Sequence, residues 1–253
     1  MKFSDLRNVA TVGICLIMAG SLVRCSSSSS SAPSRVPLVT GKIITPATQS
    51  SQDVGNLPMN LALSPDGKYV ISTDRGHYQY LWSTRTSDGR GVSHIEFSNA
   101  ANATQAPGGE GTGNEPKGSI PSNGLYYGLA ISRAGVVYAA QGAHDAIAVL
   151  KLDPDGALTR DGRIRTRKTD FPAGLALDNR GRLYVANNAS GNPIDPRKLS
   201  GSVAIYDCAT KKELGRYVFS ASHEGTSNFP RGIAALADGT KAYVAAERDD
   251  AVY

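Results

Sequence analysis

The side chains with the most chemical capacity in this sequence recur at one register of a repeated block. They are Asp74, Arg75 and His77 in a first copy, Gln141 and His144 in a second, Asn187 in a third, and Glu247 and Arg248 in a fourth. Arg231 adds a guanidinium at the front of the fourth copy, where Asn60 and Tyr127 lie in the first and second. Groups that recur at one register of stacked repeats share one face. Such a face suits a polar or anionic small molecule, or a partner protein. No residue among them has the company of a nucleophile and its base. We therefore read them as binding residues, with no catalytic residue assigned.

Other chemistries have no motif in the sequence. There is no Gly-x-Ser-x-Gly elbow and no His-Glu-x-x-His; His223-Glu224 is followed by Gly-Thr-Ser. Lys117 follows a proline in a Gly-rich stretch and lacks the spacing of a phosphate loop. His77, His94, His144 and His223 form no local cluster. Of three cysteines, Cys15 and Cys25 lie in the N-terminal leader, which leaves Cys208 alone in the body. Neither a disulfide framework nor a Cys-rich zinc site is expected. The formal charge is +5, of which the leader supplies +2 through Lys2, Arg7 and Arg24 against Asp5. There is no basic run of five, so nucleic acid is not an expected partner.

The elements that position these residues follow from the repeat itself. Its copies start at Pro58 (PMNLALSPDGKYV), Tyr126 (YYGLAISRAGVVY), Pro172 (PAGLALDNRGRLYV) and Pro230 (PRGIAALADGTKAYV). With Asn60, Gly128, Gly174 and Gly232 as origins, a glycine falls seven positions later each time: Gly67, Gly135, Gly181 and Gly239. The apolar run predicts a buried strand, and the Ser/Asp/Asn-rich segment before the glycine a turn. The β-branched and aromatic run after it predicts a second strand. Third strands are expected at Ala146–Leu152 and Ser202–Asp207, and a fourth at Glu213–Phe219. Four strands per unit is the plan of a β-propeller blade. A sandwich needs no such recurrence. The expected fold is therefore all-β, a propeller of four-stranded blades.

The origins lie 68, 46 and 58 residues apart. A bare blade takes about 40–45. The excess is read as a long loop over Arg85–Asn123 and an insertion over Ala189–Leu199. About four blades are then present over residues 57–253. The fourth stops two strands in, so an unclosed ring in the N-terminal part of a longer protein is expected. An open edge predicts an unstable or aggregating isolated chain.

Tyr184-Val185-Ala186-Asn187, Tyr243-Val244-Ala245-Ala246 and Tyr138-Ala139-Ala140-Gln141 each follow the Leu-Ala…Gly hairpin. They resemble the repeats of YVTN-type bacterial propellers, relatives of lactonase-like and NHL-like propellers. No copy reads Tyr-Val-Thr-Asn in full, and the lone Trp82 is followed by serine, not by the aspartate of WD40 blades. The resemblance implies a binding or scaffolding module. It also implies an alternative: a lactonase-like hydrolase, or the propeller domain of a bifunctional phosphoesterase. In such hydrolases a divalent cation sits in the channel, which here would draw on Glu247, Asn187, Asp74 and His144.

Residues 1–25 have the form of an export signal. Lys2 and Arg7 precede an apolar stretch from Val9 to Val23, short of the ~20 residues of a spanning helix. Cys25 then opens a serine run, Ser26–Ser31, as in a bacterial lipoprotein, although Arg24 stands where that pattern has a small residue. Residues 26–56 read as a Ser-, Pro- and Thr-rich linker. Val36–Ile44 within it has strand character, either as an early blade strand or as part of the linker. The expected location is the periplasm or cell envelope. The expected contact with a membrane is a lipid on Cys25.

Overall fold

The computed structural model describes residues 36–37, 43–44, 54–55, 57–76, 78–97, 124–190, 200–220 and 228–253, the side chains of 36–37, 43–44 and 189–190 excepted. The chain divides into two compact units, Met1–Gln49 and Ser50–Tyr253. In the first, β1 (Val36–Pro37) pairs antiparallel with β2 (Ile43–Ile44). Val36–Pro37 and Ile43–Ile44 thus form a ladder of their own, separate from the blade sheets. Cys25, the leader and the serine run lie outside the described residues.

The second unit is four small antiparallel sheets, each a simple meander. Blade 1 is β3 (Pro58–Leu63), β4 (Tyr69–Asp74), β5 (Tyr80–Arg85) and β6 (Gly91–Glu96). Blade 2 is β7 (Leu129–Ile131), β8 (Val136–Gln141), β9 (Ala146–Leu152) and β10 (Leu158–Arg165). Blade 3 is β11 (Pro172–Leu177), β12 (Arg182–Ser190), β13 (Ser200–Asp207) and β14 (Glu213–Val218). Blade 4 has three strands, β15 (Pro230–Ala235), β16 (Ala242–Ala246) and β17 (Ala251–Val252). Together they form a four-blade β-propeller whose ring is not closed.

The first hairpin of each blade forms as its sequence dictates. Gly67, Gly135, Gly181 and Gly239 have φ of 73°, 77°, 77° and 65°, a conformation that costs a side-chain-bearing residue. In three of the four, the glycine N–H closes the turn onto a carbonyl three residues back: Ser64, Ser132 and Leu236. The third strands at Ala146–Leu152 and Ser200–Asp207 and the fourth at Glu213–Val218 fall where expected. One expectation fails. The long loop at Arg85–Asn123 begins instead with a tight turn and a strand, β6. Val92 and Ile95 there pack on the core, which the glycine-rich flank obscures. The rest of that loop, 98–123, and residues 191–199 of the second insertion lie outside the described residues.

Blades stack face to face, so strands must be apolar on both sides. β8 shows the result. Val137 and Ala139 join Tyr69, Ile71, Leu81 and Phe97 of blade 1 in one core. Tyr138 and Ala140 join Leu175, Leu183, Val185 and Tyr206 of blade 3 in another. Each Leu or Ile buried in such a seam contributes about 1.5–3 kcal/mol. A smaller seam, Ala186, Val203, Phe219 and Val244, joins blade 3 to blade 4.

The inner strands interlock through their backbones. Asn60 Nδ2 donates to the Tyr127 carbonyl at 3.1 Å. A Cβ on Gly128 would lie 2.1 Å from the Ala173 carbonyl oxygen, and one on Gly174 2.0 Å from that of Arg231. The origin of each of the first three blades therefore meets the residue just before the origin of the next. Glycine at this position serves close approach; neither Gly128 nor Gly174 has a positive φ. The same spot carries a register shift in three blades: between Pro58 and Asn60, Pro172 and Leu175, and Pro230 and Gly232. Such bulges re-aim side chains. Here they place Met59, Ala173 and Arg231 at equivalent positions of the inner strands, and Tyr127, just ahead of β7, holds the same repeat position in blade 2.

Candidate functional site

In blades 1, 3 and 4 the loop after the second strand closes onto the chain that leads into the same blade. The N–H groups of Arg75, Asn188 and Glu247 donate to the carbonyls of Leu57, Phe171 and Phe229 at 2.9, 3.1 and 3.2 Å. These contacts bring together the two loop sets at one end of the blades. Phe171 and Phe229 have φ of 49° and 54°, although each is bulky and precedes a proline. A conformation of this kind costs about 1–3 kcal/mol and is held by its surroundings. Asp145, itself at φ 47°, supplies part of the hold: its carboxylate accepts from Phe171 N–H at 2.9 Å and Thr169 N–H at 2.8 Å.

The expected site residues separate into two groups. Asp74 and Gln141 end β4 and β8, and Asn187 holds the equivalent position in β12, as their common register implied, but all three are fully buried. Strand alternation turns Gln141 and Asn187 to the side of the preceding blade, the side of Val137 and Leu183. Asp74 Oδ1 accepts from the N–H groups of Leu57 at 2.6 Å and Gly76 at 3.1 Å, so it braces a loop. Asn187 Nδ2 donates to Ser202 Oγ at 3.1 Å. The fourth blade has Ala246 at this position, with Glu247 one residue later. His144 is half-buried in a short 3-10 turn, Gly142–His144, beside Gly124. His77 lies outside the described residues.

The second group is exposed or half-exposed and cationic. Each arginine lies over an aromatic ring: Arg75 over Tyr126 at 4.8 Å, Arg231 over Tyr127 at 5.4 Å, and Arg248 over Phe229 at 4.9 Å. The contact of Arg231 with Tyr127 joins blade 4 to blade 2. It passes blade 3 because that blade has only Ala173 at the equivalent position. Arg231 also pairs with Glu247 at 3.5 Å, in a bridge exposed on both sides. Tyr127, Arg231, Gly232, Ala246 and Glu247 line part of an open cavity of about 510 Å3. Among the described residues, no three His, Cys, Asp or Glu groups converge to hold a metal ion, so Asp74, His144 and Glu247 form no ligand set.

Two features escaped the sequence. The aromatic partners Tyr126 and Phe229 are one: Tyr126 gathers Arg75, the Phe171 ring at 5.2 Å and Asn188 Nδ2 at 3.4 Å. Their signal was the aromatic residue before or at the proline position of copies two, three and four. The other is a buried ionic network in blade 3. Arg216 grips Asp170 with two hydrogen bonds of 2.8 and 2.7 Å and Glu213 with two of 3.1 and 3.0 Å. It also donates to Ser202 Oγ at 2.8 Å. Burial pushes the Arg216 guanidinium pKa down, but Glu213 and Asp170 more than offset this and raise it. Asp170 and Arg216 lie 46 residues apart, a separation no local pattern reveals.

The repeats of RRP9, a WD40 protein, superpose with a TM-score of 0.55 at 15% identity, over 79% of this chain and 48% of that one. The protein U3-55K gives 0.50 at 14% identity, over 80% and 52%. The likeness is one of fold alone. A functionally unknown protein from Desulfotomaculum acetoxidans gives 0.48 at 17% identity, over 82% and 53%. This chain spans about half the length of the solved structures it matches. No protein-family model matches the sequence, and no curated protein does.

Proposed function

We propose that this chain is the binding arc of an exported bacterial propeller of YVTN type, and that it holds an anionic small molecule at the mouth of the channel. The observation that carries the reading is Arg231 over Tyr127, which sets a guanidinium among the inner-strand residues of the blades. A guanidinium stacked on a ring keeps its planar N–H edge for a carboxylate or phosphate. Arg75 and Arg248 repeat the arrangement at the same end. Glu247, bridged to Arg231 and exposed, holds the guanidinium until an anion displaces it. Export rests on the leader and anchorage on Cys25. The arc belongs to a larger ring, a reading supported by the uncovered apolar residues Leu61 and Leu63 on blade 1 and Tyr243 on blade 4.

Calorimetric titration with citrate and with inorganic phosphate tests the site. Arg231→Gln should weaken the binding of the preferred anion about tenfold or more, the equivalent of ~1.4 kcal/mol. Equal affinity in the variant, or no binding of either anion to the wild type, contradicts the reading.

A further inference from the structure

The outer strand of blade 2 carries a charge that the blade plan does not call for. Residues 160–168 hold five cations, Arg160, Arg163, Arg165, Arg167 and Lys168, and one anion, Asp161. Their formal net charge is +4; the +5 of the whole chain, less the +2 of the leader, leaves only +3 for everything else together with them. Gly162, Ile164 and Thr166 interleave the cations, so no run marks them in the sequence. In β10, Arg160, Arg163 and Arg165 oppose Leu150, Ala148 and Ala146 of β9, which follow one another at steps of two. Alternation alone would put Arg160 and Arg163 on opposite faces. The register shift between them, with Gly162 at φ of 91°, inserts the extra residue that brings them to the same face. That face is the one turned to blade 1, since Leu150 and Ala148 belong to the core shared with it. Ile164 points the other way, into the core with blade 3. Steps of two residues space the arginines about 7 Å apart, in a row about 14 Å long.

Arg160 and Arg165 are exposed and Arg163 is half-buried. Arg160 lies over the Phe97 ring at 4.7 Å and donates to the Glu96 carbonyl at 2.6 Å, which lays it along the seam with β6. Asp161, the one acid of the strand, is committed elsewhere: its carboxylate meets Lys151 at 3.6 Å, and its carbonyl accepts from Lys211 Nζ at 3.0 Å. Among the described residues, Arg165 and Lys168 pair with no carboxylate. Charge on an outer strand wards off stray pairing, but the other outer strands do without this concentration. β6 has no Lys or Arg, and β14 has only Arg216, buried against Asp170 and Glu213. Warding off needs no common face either. Blade 2 has a neighbour on both sides, so the row lies on the outer rim of a ring of any size.

We propose that this row is a second anion-binding surface, separate from the channel mouth, and that it takes a linear polyanion: a chain of phosphate or carboxylate groups laid along β10. Each guanidinium offers paired N–H groups to such a group. Successive contacts on one chain reinforce each other through effective concentration, which a single anion lacks. A row on one face of a strand matches a chain, whereas a membrane surface calls for cations spread over a plane.

Calorimetric titration of the full chain tests it, in the Arg231→Gln background so that the mouth does not contribute. Long-chain polyphosphate or polyglutamate should bind about tenfold tighter than inorganic phosphate, and the better of the two chains names the source. Raising salt from about 50 to 200 mM should weaken the polyphosphate complex about tenfold or more, as three neutralised phosphates release their counterions. Adding Arg163→Gln and Arg165→Gln together should weaken it about tenfold. Arg163→Lys with Arg165→Lys should recover most of that loss, which separates lost charge from lost fold. Binding of neither chain, unchanged affinity in the double glutamine variant, no recovery with lysine, or tighter binding to phosphatidylglycerol vesicles than to either chain overturns the proposal. None of these outcomes decides the mouth site, which is read from citrate and phosphate on the wild type against Arg231→Gln alone.

Discussion

The carbonyl oxygen of Arg231 lies 2.0 Å from the point where a Cβ on Gly174 would stand. The third blade is thereby built to receive the fourth, and the same residue that supplies the carbonyl supplies the guanidinium over Tyr127. Blade stacking and the candidate site are two uses of one bulge.

Substitution at this seat separates close approach from backbone freedom. Gly174→Ala should destabilise by about 1–3 kcal/mol or more, because a backbone carbonyl has no rotamer with which to yield. In a single arc, where a Cβ at this position meets only Ala245 at 3.6 Å, Gly232→Ala should be neutral or stabilising by a few tenths to about 1 kcal/mol, through loss of unfolded-chain entropy. Urea midpoints of the two variants decide the point.

The turn glycines should behave differently. Gly181 has φ of 77° and nothing within 4 Å of its missing Cβ. Gly181→Ala should cost about 1–2 kcal/mol from backbone strain alone. Gly181→Asn should cost less, since asparagine tolerates the left-handed region. Equal losses in the same urea assay would count against this origin.

How legible the protein is depends on how local the cause is. The turn glycines and the strands at Ala146–Leu152 and Glu213–Val218 could be read because turn chemistry and apolar patterning are short-range. The register of Asp74, Gln141 and Asn187 could be read too. Their burial could not, because sequence gives the alternation of a strand but not which blade covers each side. The conformations of Phe171 and Phe229 ran against local expectation, since a residue before proline favours extended backbone. Loop closure overrides that preference, with carbonyl bonds to Asn188 and Glu247.

Acid should loosen blade 3 through Glu213. Arg216 beside it holds the Glu213 carboxyl below the usual glutamate range. A depressed folded pKa means that this stabilisation is full above the unfolded value, about 4.3. It is lost as pH falls through the folded value. Glu213→Gln should therefore flatten the loss of stability below about pH 4.5. Urea midpoints at pH 3 and pH 7 show whether the two proteins converge in acid, as expected.

Arg216→Leu should be more damaging than any exposed-pair substitution. It leaves the Asp170 carboxylate buried without its guanidinium, at a cost of about 3–5 kcal/mol. Arg85→Leu, which breaks the exposed pair with Asp88, should cost less than about 1 kcal/mol. Thermal melts of the two variants provide the comparison.

The anchor at Cys25 is tested by fractionation. Cys25→Ala should move the protein from the membrane to the soluble envelope fraction. Unchanged fractionation would show that no lipid on this residue holds it.

The most direct measurement is a double-substitution cycle on the anion titration, with Tyr127→Leu, Arg231→Gln and the pair. If the ring orients the guanidinium for the ligand, Tyr127→Leu weakens binding in the wild type but does little once Arg231 is gone. Losses that simply add, or a Tyr127→Leu variant with unchanged affinity, would contradict a site built on Arg231 and Tyr127.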